Sequence, residues 1–198
     1  MIICLIGFGL LPIYISHIGH DKEFLWGKRG FPHIYAHDEA IIKNINDTVE
    51  WNDELWILGD LALGTDETEW NRVFYNLRCK NIHFIIGNHD TDRKIDKYID
   101  EYKLEFHGYV DMIKYSKTKR LYLSHYPTIT DNFDDTIRPH VINLFGHTHQ
   151  STNFFNDNPY MYHVGLDSHN MYPVSIEQII KDIEKKVREK ENENKNCI

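Results

Sequence analysis

The chain has 198 residues and a formal net charge of -8 at pH 7. A chain of this length can bury one hydrophobic core, so we expect a single domain over residues 1–189. The acidic balance excludes an extended basic surface for nucleic acid, because such binding rests on many Lys and Arg contacts to phosphate. A phosphate ester substrate stays compatible with the acidic balance, because bound metal cations supply local positive charge.

The cysteines and the apolar N-terminal run indicate the expected cellular location. The chain has three cysteines, Cys4, Cys79 and Cys197, which are too scattered for a disulfide framework or a thiolate zinc site. A reducing cytoplasm is therefore the expected location. Residues 1–15 are largely apolar, but they lack a basic start and fall short of the roughly 20 residues that cross a bilayer, so we expect no membrane association. We interpret residues 13–15 as the end of a first buried strand.

Short apolar runs alternate with helical patterns along the chain. Four runs of strand length are rich in β-branched or aromatic residues, at 55–58, 82–86, 121–123 and 141–145. The helical patterns between them have the stripes Ile41, Ile45 and Val49, then Trp70, Phe74 and Leu77 after a cap of Asp66 and Glu69. Strand and helix therefore alternate through the first half, as in α/β proteins.

A last helix is predicted from Ser175, where Gln178 completes a capping box. Its apolar stripe consists of Ile176, Ile179, Ile180, Ile183 and Val187. Residues 190–196 are only Lys, Glu and Asn, which cannot bury enough apolar area to offset the entropy of ordering. We therefore expect residues 190–198 to form a frayed polar tail.

Each of the five predicted strands is followed by side chains of types that bind metals. They are His17 after the first strand, Asp60 after the second, Asn88, His89 and Asp90 after the third, His125 after the fourth, and His147 and His149 after the fifth. Because ligands bind outside the carboxyl ends of parallel strands, these groups are expected in one crevice. Imidazole suits Zn, Fe or Ni, and carboxylate adds affinity for Mn. The residue types therefore predict a divalent metal site.

Taken singly, each of these motifs has an ordinary structural explanation. Gly59-Asp60 is common in turns, and the Asn and Asp within residues 87–90 also populate turns. His147 and His149 would share a face on a strand, whereas in a loop they could diverge toward two metals or lie on the surface. A metal site is favoured because all of these motifs occur together in one chain and each follows the end of a predicted strand.

In combination these motifs resemble those of the calcineurin-like metallophosphoesterases. The matching pieces are Gly59-Asp60, Gly87-Asn88-His89-Asp90, Ser124-His125 and Gly146-His147-Thr148-His149. Residues 124–127, 164–167 and 172–175 are similar to the small bacterial and phage branch of that family. The resemblance implies an α/β fold in which a two-sheet β-sandwich is flanked by helices.

The resemblance also implies a site for two divalent metal ions, drawn from Mn, Fe, Zn and Ni. Asp60 would bridge the two ions. The further ligands would be Asn88, His125 and His147 at one site, and His17 and His149 at the other. His89 would act as a general acid near the leaving group rather than as a ligand.

The implied activity is hydrolysis of a phosphomonoester or phosphodiester. Two metals about 4 Å apart acidify a bridging water, and the resulting hydroxide attacks phosphorus while the metals neutralise the phosphoryl oxygens. His89 would protonate the departing alkoxide. His20 and Arg29 are candidates for binding substrate phosphate, Arg29 through its planar fork, and ordinary surface roles fit both residues as well.

The pattern departs from the family at its first motif. The small branch reads Ser-Asp-Thr-His-Phe-Gly-His, whereas this chain reads Ser16-His17-Ile18-Gly19-His20, with no carboxylate before His17. Loss of an anionic ligand weakens a metal site. Three explanations stay open: Asp21 substitutes for the absent Asp, the chain binds one metal with slow or no turnover, or the N-terminal sequence reflects an error or decay. A degenerate family member that acts as a binding or regulatory module is therefore the alternative function.

Overall fold

A computed structural model describes residues 10–13, 18–63, 67–128 and 140–196. Within these ranges the strands are β1 (Leu10–Ile13), β2 (Glu54–Leu58), β3 (Ile82–Ile85), β4 (Glu105–Phe106), β5 (Val110–Lys114), β6 (Lys119–Ser124), β7 (His140–Phe145) and β8 (Met161–His163). The α-helices are α1 (Glu23–Trp26), α2 (Ile34–Thr48), α3 (Glu67–Asn76), α4 (Asp92–Asp100) and α5 (Ile176–Asn196). The chain is thus an α/β protein with two sheets, as the sequence predicts.

The described strands form two four-stranded sheets that are mostly parallel. The first sheet has the order β1-β2-β3-β4, and all its neighbouring strands are parallel. The second has the order β5-β6-β7-β8, in which β5 is antiparallel to β6 and the other pairs are parallel. Parallel neighbours end at the same edge of a sheet, so the loops after β2 and β3 start side by side, as do those after β6 and β7.

Two clusters of buried apolar side chains hold the sheets and helices together. In β2, Leu55 and Ile57 belong to the first cluster and Trp56 and Leu58 to the second, because side chains alternate between the two faces of a strand. The first cluster joins the first sheet to α2 and α3 through Ile41, Ile45, Trp70, Phe74 and Phe84. The second contains residues of both sheets and of α5, among them Ile85, Leu121, Leu144, Ile179 and Ile183.

Most predicted elements are confirmed. The four apolar runs are β2, β3, β6 and β7, and the two helical stripes lie on α2 and α3. Residues 14 and 15 of the first predicted strand, and the predicted cap residue Asp66, lie outside the described residues. The sequence pattern does not predict β4, β5 and β8, because β4 and β8 have only 2 and 3 residues and because β5 alternates exposed with half-buried positions. Nor does it predict α1 and α4.

The C-terminal helix is longer than predicted. Its N-terminus is confirmed, since Ser175 Oγ accepts a hydrogen bond from the backbone N–H of Gln178 at 3.2 Å. Residues 190–196 continue α5, because Lys and Glu are good helix formers that need no buried face. Fraying of this tail stays a prediction. Lys190 also pairs with Asp157 at 2.8 Å. None of the described helices combines the length and the apolar character that crossing a bilayer requires.

The packing of α5 on the second cluster gives a test of the fold. Ile179 is completely buried there, so Ile179→Ala should lower the free energy of unfolding by about 2–5 kcal/mol. Urea denaturation followed by circular dichroism measures this change. The matched control is Lys181→Ala on the exposed face of the same helix, which should stay within about 0.5 kcal/mol of the parent. Equal effects of the two substitutions would contradict the packing of α5.

Candidate metal centre

Four loops at the carboxyl ends of strands bring predicted ligands together. Asp60 follows β2, Asn88 follows β3, His125 follows β6 and His147 follows β7. Donor atoms of Asp60, His125 and His147 all lie within 4.8 Å of one another. The side-chain oxygen of Asn88 lies 2.9 Å from His125 Nε2. These four residues are called the Asp60 cluster below.

The first sheet holds His125 in one tautomer. The Nδ1–H of its ring donates to the carbonyl oxygen of Leu58 at 2.9 Å, so a neutral ring carries its lone pair on Nε2. The atoms facing Nε2 are Asn88 Oδ1 at 2.9 Å, His147 Nδ1 at 3.0 Å and Asp60 Oδ2 at 3.5 Å. Burial lowers the pKa of His125 and that of His147, so both rings are neutral at neutral pH. Nε2 therefore has no proton to donate to the two oxygens that face it.

The separations within the Asp60 cluster fit the coordination shell of a metal ion. Ligand atoms about 2.1 Å from an ion lie about 3.0 Å apart in octahedral geometry and about 3.4 Å apart in tetrahedral geometry. The three distances from His125 Nε2 run from 2.9 to 3.5 Å. A cation among these atoms would be attracted by the lone pair of His125 Nε2 and by the oxygens of Asp60 and Asn88. The residues thus suit a divalent metal bound by nitrogen and oxygen.

Two glycines make this close approach possible. Gly59 has a φ of +86°, and a Cβ at this position would lie 2.5 Å from His125 Nδ1. At Gly87 a Cβ would overlap the Asp60 carboxylate and lie 2.6 Å from the Asp60 backbone nitrogen. Both positions therefore exclude any side chain, and the two loops can touch.

Asp90 fastens the Asp60 loop to the loop after β3. Its Oδ2 accepts hydrogen bonds from the backbone N–H groups of Asp60 at 2.7 Å and Gly87 at 2.8 Å. Asp60 has a φ of +53°, a left-handed conformation that costs a residue other than Gly about 1–3 kcal/mol. Burial raises the pKa of Asp90 to about 6, although both hydrogen bonds oppose this shift. The buried contact holds Asp60 in its strained conformation.

His89, the predicted general acid, lies beside the Asp60 cluster. Its backbone N–H donates to Asp60 Oδ1 at 2.8 Å, and the residue is exposed. Burial is the main cause of the lowered pKa of His20, His125 and His147, and repulsion from His89 contributes in each case. His89 therefore lies within electrostatic range of all three rings.

His147 and His149 diverge, as the sequence analysis considered for a loop. Both residues have positive φ angles, of 56° and 47°. His147 lies against His125, whereas Nδ1 of His149 lies 2.9 Å from Asp167 Oδ2. Burial would raise the pKa of Asp167, but hydrogen bonds from His149 and Arg29 hold it well below its usual range. An ionised Asp167 keeps the His149 proton on Nδ1 and leaves the lone pair on Nε2, as in carboxylate–histidine–metal arrangements.

A cavity of about 470 Å³ lies beside His149, and both residues predicted to bind phosphate, His20 and Arg29, line it. The planar fork of Arg29 engages Asp167, with Nε and Nη2 donating to its two carboxylate oxygens at 2.7 and 2.8 Å. Nη1 of Arg29 lies 2.8 Å from His37 Nε2. Arg29 thus braces His149 through Asp167, and a contact between Arg29 and phosphate stays a prediction.

The first motif is attached to α2 by a buried carboxylate. Asp38 Oδ2 accepts a hydrogen bond from the backbone N–H of Gly19 at 2.9 Å, and its Oδ1 lies 2.8 Å from His37 Nδ1. His17 lies outside the described residues, so its ligand role stays a prediction. Asp21, considered as a substitute for the absent Asp, is exposed and accepts a hydrogen bond from Trp26 Nε1 at 3.1 Å.

Three acidic residues of this region hold neighbouring groups in place, a role that was not predicted for them. For two of them the available signal was a position within a motif: Asp90 closes the motif at residues 87–90, and Asp167 ends the segment 164–167 that resembles the small branch. No pattern pointed to Asp38, because it contacts Gly19 across 19 residues of chain.

Comparisons with known proteins identify related chains and one shared fold. No protein family model matches the chain. An uncharacterized protein of Methanocaldococcus jannaschii, MJ1445, is 28% identical over 177 residues, covering 86% of this chain and 88% of the relative. The solved structure of AQ665, a protein of unknown function from Aquifex aeolicus, has a TM-score of 0.63 at 22% identity and covers 87% of this chain and 98% of its own. The two proteins therefore share a fold.

A weaker structural likeness involves YfcE, a phosphoesterase from E. coli. Its TM-score is 0.45 at 17% identity, with 80% of this chain and 78% of that chain covered. A TM-score this low does not establish a shared fold.

The contact between Gly87 and Asp60 gives a test of the site. Gly87→Ala should push the Asp60 carboxylate out of the cluster, because the new Cβ overlaps it. We expect at least a 10-fold loss of affinity for Mn²⁺ or Zn²⁺, measured by isothermal titration. The control is Gly108→Ala, where a Cβ meets nothing within 4 Å and only the positive φ of 74° is strained. Metal affinity that is lost equally in both variants would contradict the role of Gly87.

Proposed function

We propose that the protein is a metal-dependent phosphoesterase that hydrolyses a phosphomonoester or phosphodiester. The observation that carries this proposal is the convergence of the His147 imidazole, the Asp60 carboxylate and the Asn88 amide oxygen at 2.9 to 3.5 Å around His125 Nε2. The resemblance of these motifs to calcineurin-like phosphoesterases supports the reaction class. The second apolar cluster, which contains residues of both sheets, is consistent with the sandwich of that family.

In this proposal the Asp60 cluster binds one divalent ion, and Asp60, His149 and His17 serve a second. When bound, such ions acidify a water molecule and neutralise charge that develops on phosphoryl oxygens. The protein's part is to hold the donor atoms in place. Leu58 orients His125, Asp90 anchors Asp60, and Asp167 orients His149.

The cavity beside His149 is the proposed place for the substrate phosphate. Its lining includes Lys28, Arg29 and His20, whose side chains offer N–H donors to phosphate oxygens. Arg29 is already oriented by Asp167, so little side-chain entropy is lost when it meets a ligand. This arrangement supports binding of an anion next to the ions.

His89 is the proposed general acid. Its ring lies near His20 and the Asp60 cluster, and its main chain is fixed by the hydrogen bond to Asp60. Histidine is the side chain that most often donates a proton to a leaving group in general acid catalysis. His89 would hold the proton on the ring and transfer it to the leaving oxygen.

A metal-binding module with little turnover is the second candidate. It is favoured by the absence of a carboxylate before His17, and by the hydrogen bond of Asp21 to the indole of Trp26. Hydrolysis of aryl phosphate mono- and diesters with added Mn²⁺ distinguishes the candidates. Turnover supports the enzyme, and stoichiometric metal binding without turnover supports the module.

The roles of ligand and acid should be separable by substitution. His125→Ala and His147→Ala should each lower metal affinity by at least 10-fold, because each removes a ligand. His89→Ala should keep the metal and slow hydrolysis of esters with poor leaving groups by about 100- to 10,000-fold. Elemental analysis of dialysed protein and rates on alkyl against nitrophenyl esters measure both effects. If all three variants lose metal alike, His89 is a ligand and not the acid.

Asp60→Asn should be the most damaging single substitution in the centre. The carboxylate is proposed to lie between two cations, so its neutral replacement leaves them repelling each other. We expect activity to fall below detection while circular dichroism stays that of the parent. Asp96→Asn, which neutralises an exposed Asp on α4, is the matched control and should keep full activity. An active Asp60→Asn protein would eliminate the two-metal proposal.

A further inference from the structure

A second cluster of metal-binding side chains lies at the edge of the first sheet. His83 is in β3, Glu105 is its register partner in β4, and His107 directly follows β4. A donor atom of each lies within 4.8 Å of those of the other two. These three residues are called the His83 cluster. They share no residue with the Asp60 cluster.

The donor atoms of the His83 cluster have the spacing of a tetrahedral site. His83 Nδ1 lies 3.0 Å from His107 Nε2 and 3.5 Å from Glu105 Oε2. His107 Nε2 lies 3.6 Å from Glu105 Oε1. Ligand atoms at the usual zinc distances are about 3.3 Å apart in a tetrahedron. A zinc ion therefore fits between the three donors with small adjustments.

The neighbouring carboxylate of Asp111 fixes the protons of the cluster. His107 Nδ1 lies 2.7 Å from Asp111 Oδ2, so it carries the proton and leaves the lone pair on Nε2. The contact between the two rings then requires His83 to donate from Nδ1. His107 is thus oriented as a ligand by a carboxylate on its other nitrogen, as metal-binding histidines generally are.

This proton arrangement leaves His83 incompletely satisfied. With its proton on Nδ1, Nε2 carries a lone pair, and this buried atom has no hydrogen-bond partner among the described residues. The polar group that it faces is the Glu54 carboxylate, with Oε2 at 3.9 Å, which cannot donate. The whole residue is 8% exposed, so solvent does not resolve the conflict. A buried polar atom without a partner requires an explanation.

Metal binding removes the conflict. A cation that takes the Nδ1 lone pair of His83 moves the ring proton to Nε2, where it is directed toward Glu54. The ring stays neutral, so no net proton is released. Glu54 is itself steadied by Trp56, whose Nε1–H donates to Glu54 Oε2 at 3.5 Å. In each ring, the nitrogen that does not bind the ion then faces a carboxylate: Glu54 for His83 and Asp111 for His107.

The rings are also held in place by packing. Trp56 stacks on His83 with the ring centres 4.4 Å apart and the planes 7° apart. Its indole lies 4.5 Å from the ring of His107. Both histidines are therefore pre-oriented, and binding needs little further ordering. Trp56 also serves as an internal fluorescent reporter in contact with the cluster.

We propose that His83 Nδ1, His107 Nε2 and the Glu105 carboxylate form a binding site for a divalent transition metal, with zinc as the ion that the ligand set favours. Glu105 is exposed, so the fourth position is open to water. Asp111 belongs to β5, the edge strand of the second sheet, whereas the ligands belong to β3 and the end of β4 in the first sheet. The ion would thus join β3 to the end of β4, and the contact of His107 with Asp111 would link it to the second sheet. The site is independent of the proposed hydrolysis.

Zinc content tests this proposal. Dialysed parent protein should hold one more zinc per chain than His83→Gln or Glu105→Gln, and Zn²⁺ affinity at the site should fall at least 10-fold in each variant. Glu105 is exposed, so Glu105→Gln should fold normally even if His83→Gln does not. The matched control Glu177→Gln changes the same charge on α5 and should bind zinc as the parent does. Phosphoesterase activity should be unchanged in Glu105→Gln.

A second measurement locates the ion. Titration with Co²⁺ should quench the fluorescence of Trp56, and this quenching is the Co²⁺ phase of the titration. The phase should require at least 10-fold more Co²⁺ in Glu105→Gln. It should be absent in Trp56→Phe, which lacks the reporter. The same titration in His125→Ala should keep the phase, which separates this site from the Asp60 cluster. The proposal is overturned if Glu105→Gln binds zinc as the parent does, or if the Co²⁺ phase disappears in His125→Ala but persists in Glu105→Gln.

Discussion

The hydrogen bond between His125 Nδ1 and the Leu58 carbonyl connects the end of β6 to the end of β2, and much of the site depends on it. It joins the two sheets at the edge where their loops meet. It also sets the tautomer of His125, which directs a lone pair at Asp60, Asn88 and His147. Gly59 must lack a side chain for this contact to form, because a Cβ would lie 2.5 Å from the bonded nitrogen. One buried hydrogen bond therefore both joins the two sheets and orients a metal-binding nitrogen.

Among the described residues, both the Asp60 cluster and the His83 cluster use the same arrangement of a histidine. A carbonyl or carboxylate oxygen accepts one ring proton and leaves the opposite nitrogen as a ligand: Leu58 for His125 in the first and Asp111 for His107 in the second. Asp167 does the same for His149, which lies outside both clusters. The surroundings differ. The Asp60 cluster lies at strand ends next to a cavity, where an ion can meet a substrate. The His83 cluster lies at the edge of the first sheet, where an ion can join β3 to the end of β4.

Whether the sequence predicts an element or a contact depends on how far apart in the chain the interacting residues are. Apolar runs and helical stripes are local, so β2, β3, β6, β7, α2 and α3 follow from them, and the placement of Asp60, Asn88, His125 and His147 follows from the strand ends. The pairing of Arg29 with Asp167 spans 138 residues and has no local signal. His83 and His107 lack a motif because their site arises from the register of β3 with the short strand β4. The extension of α5 through residues 190–196 was not predicted, because the argument from burial and entropy left out helix propensity.

The central claim is that Asp60, Asn88, His125 and His147 bind a metal ion. The most direct measurement is a crystal structure of the protein soaked with Mn²⁺, with diffraction data collected where manganese scatters anomalously. The account predicts a strong anomalous peak about 2.1–2.3 Å from Asp60, Asn88, His125 and His147. A map with no peak at this position, in crystals where Mn²⁺ is in large excess, would contradict it.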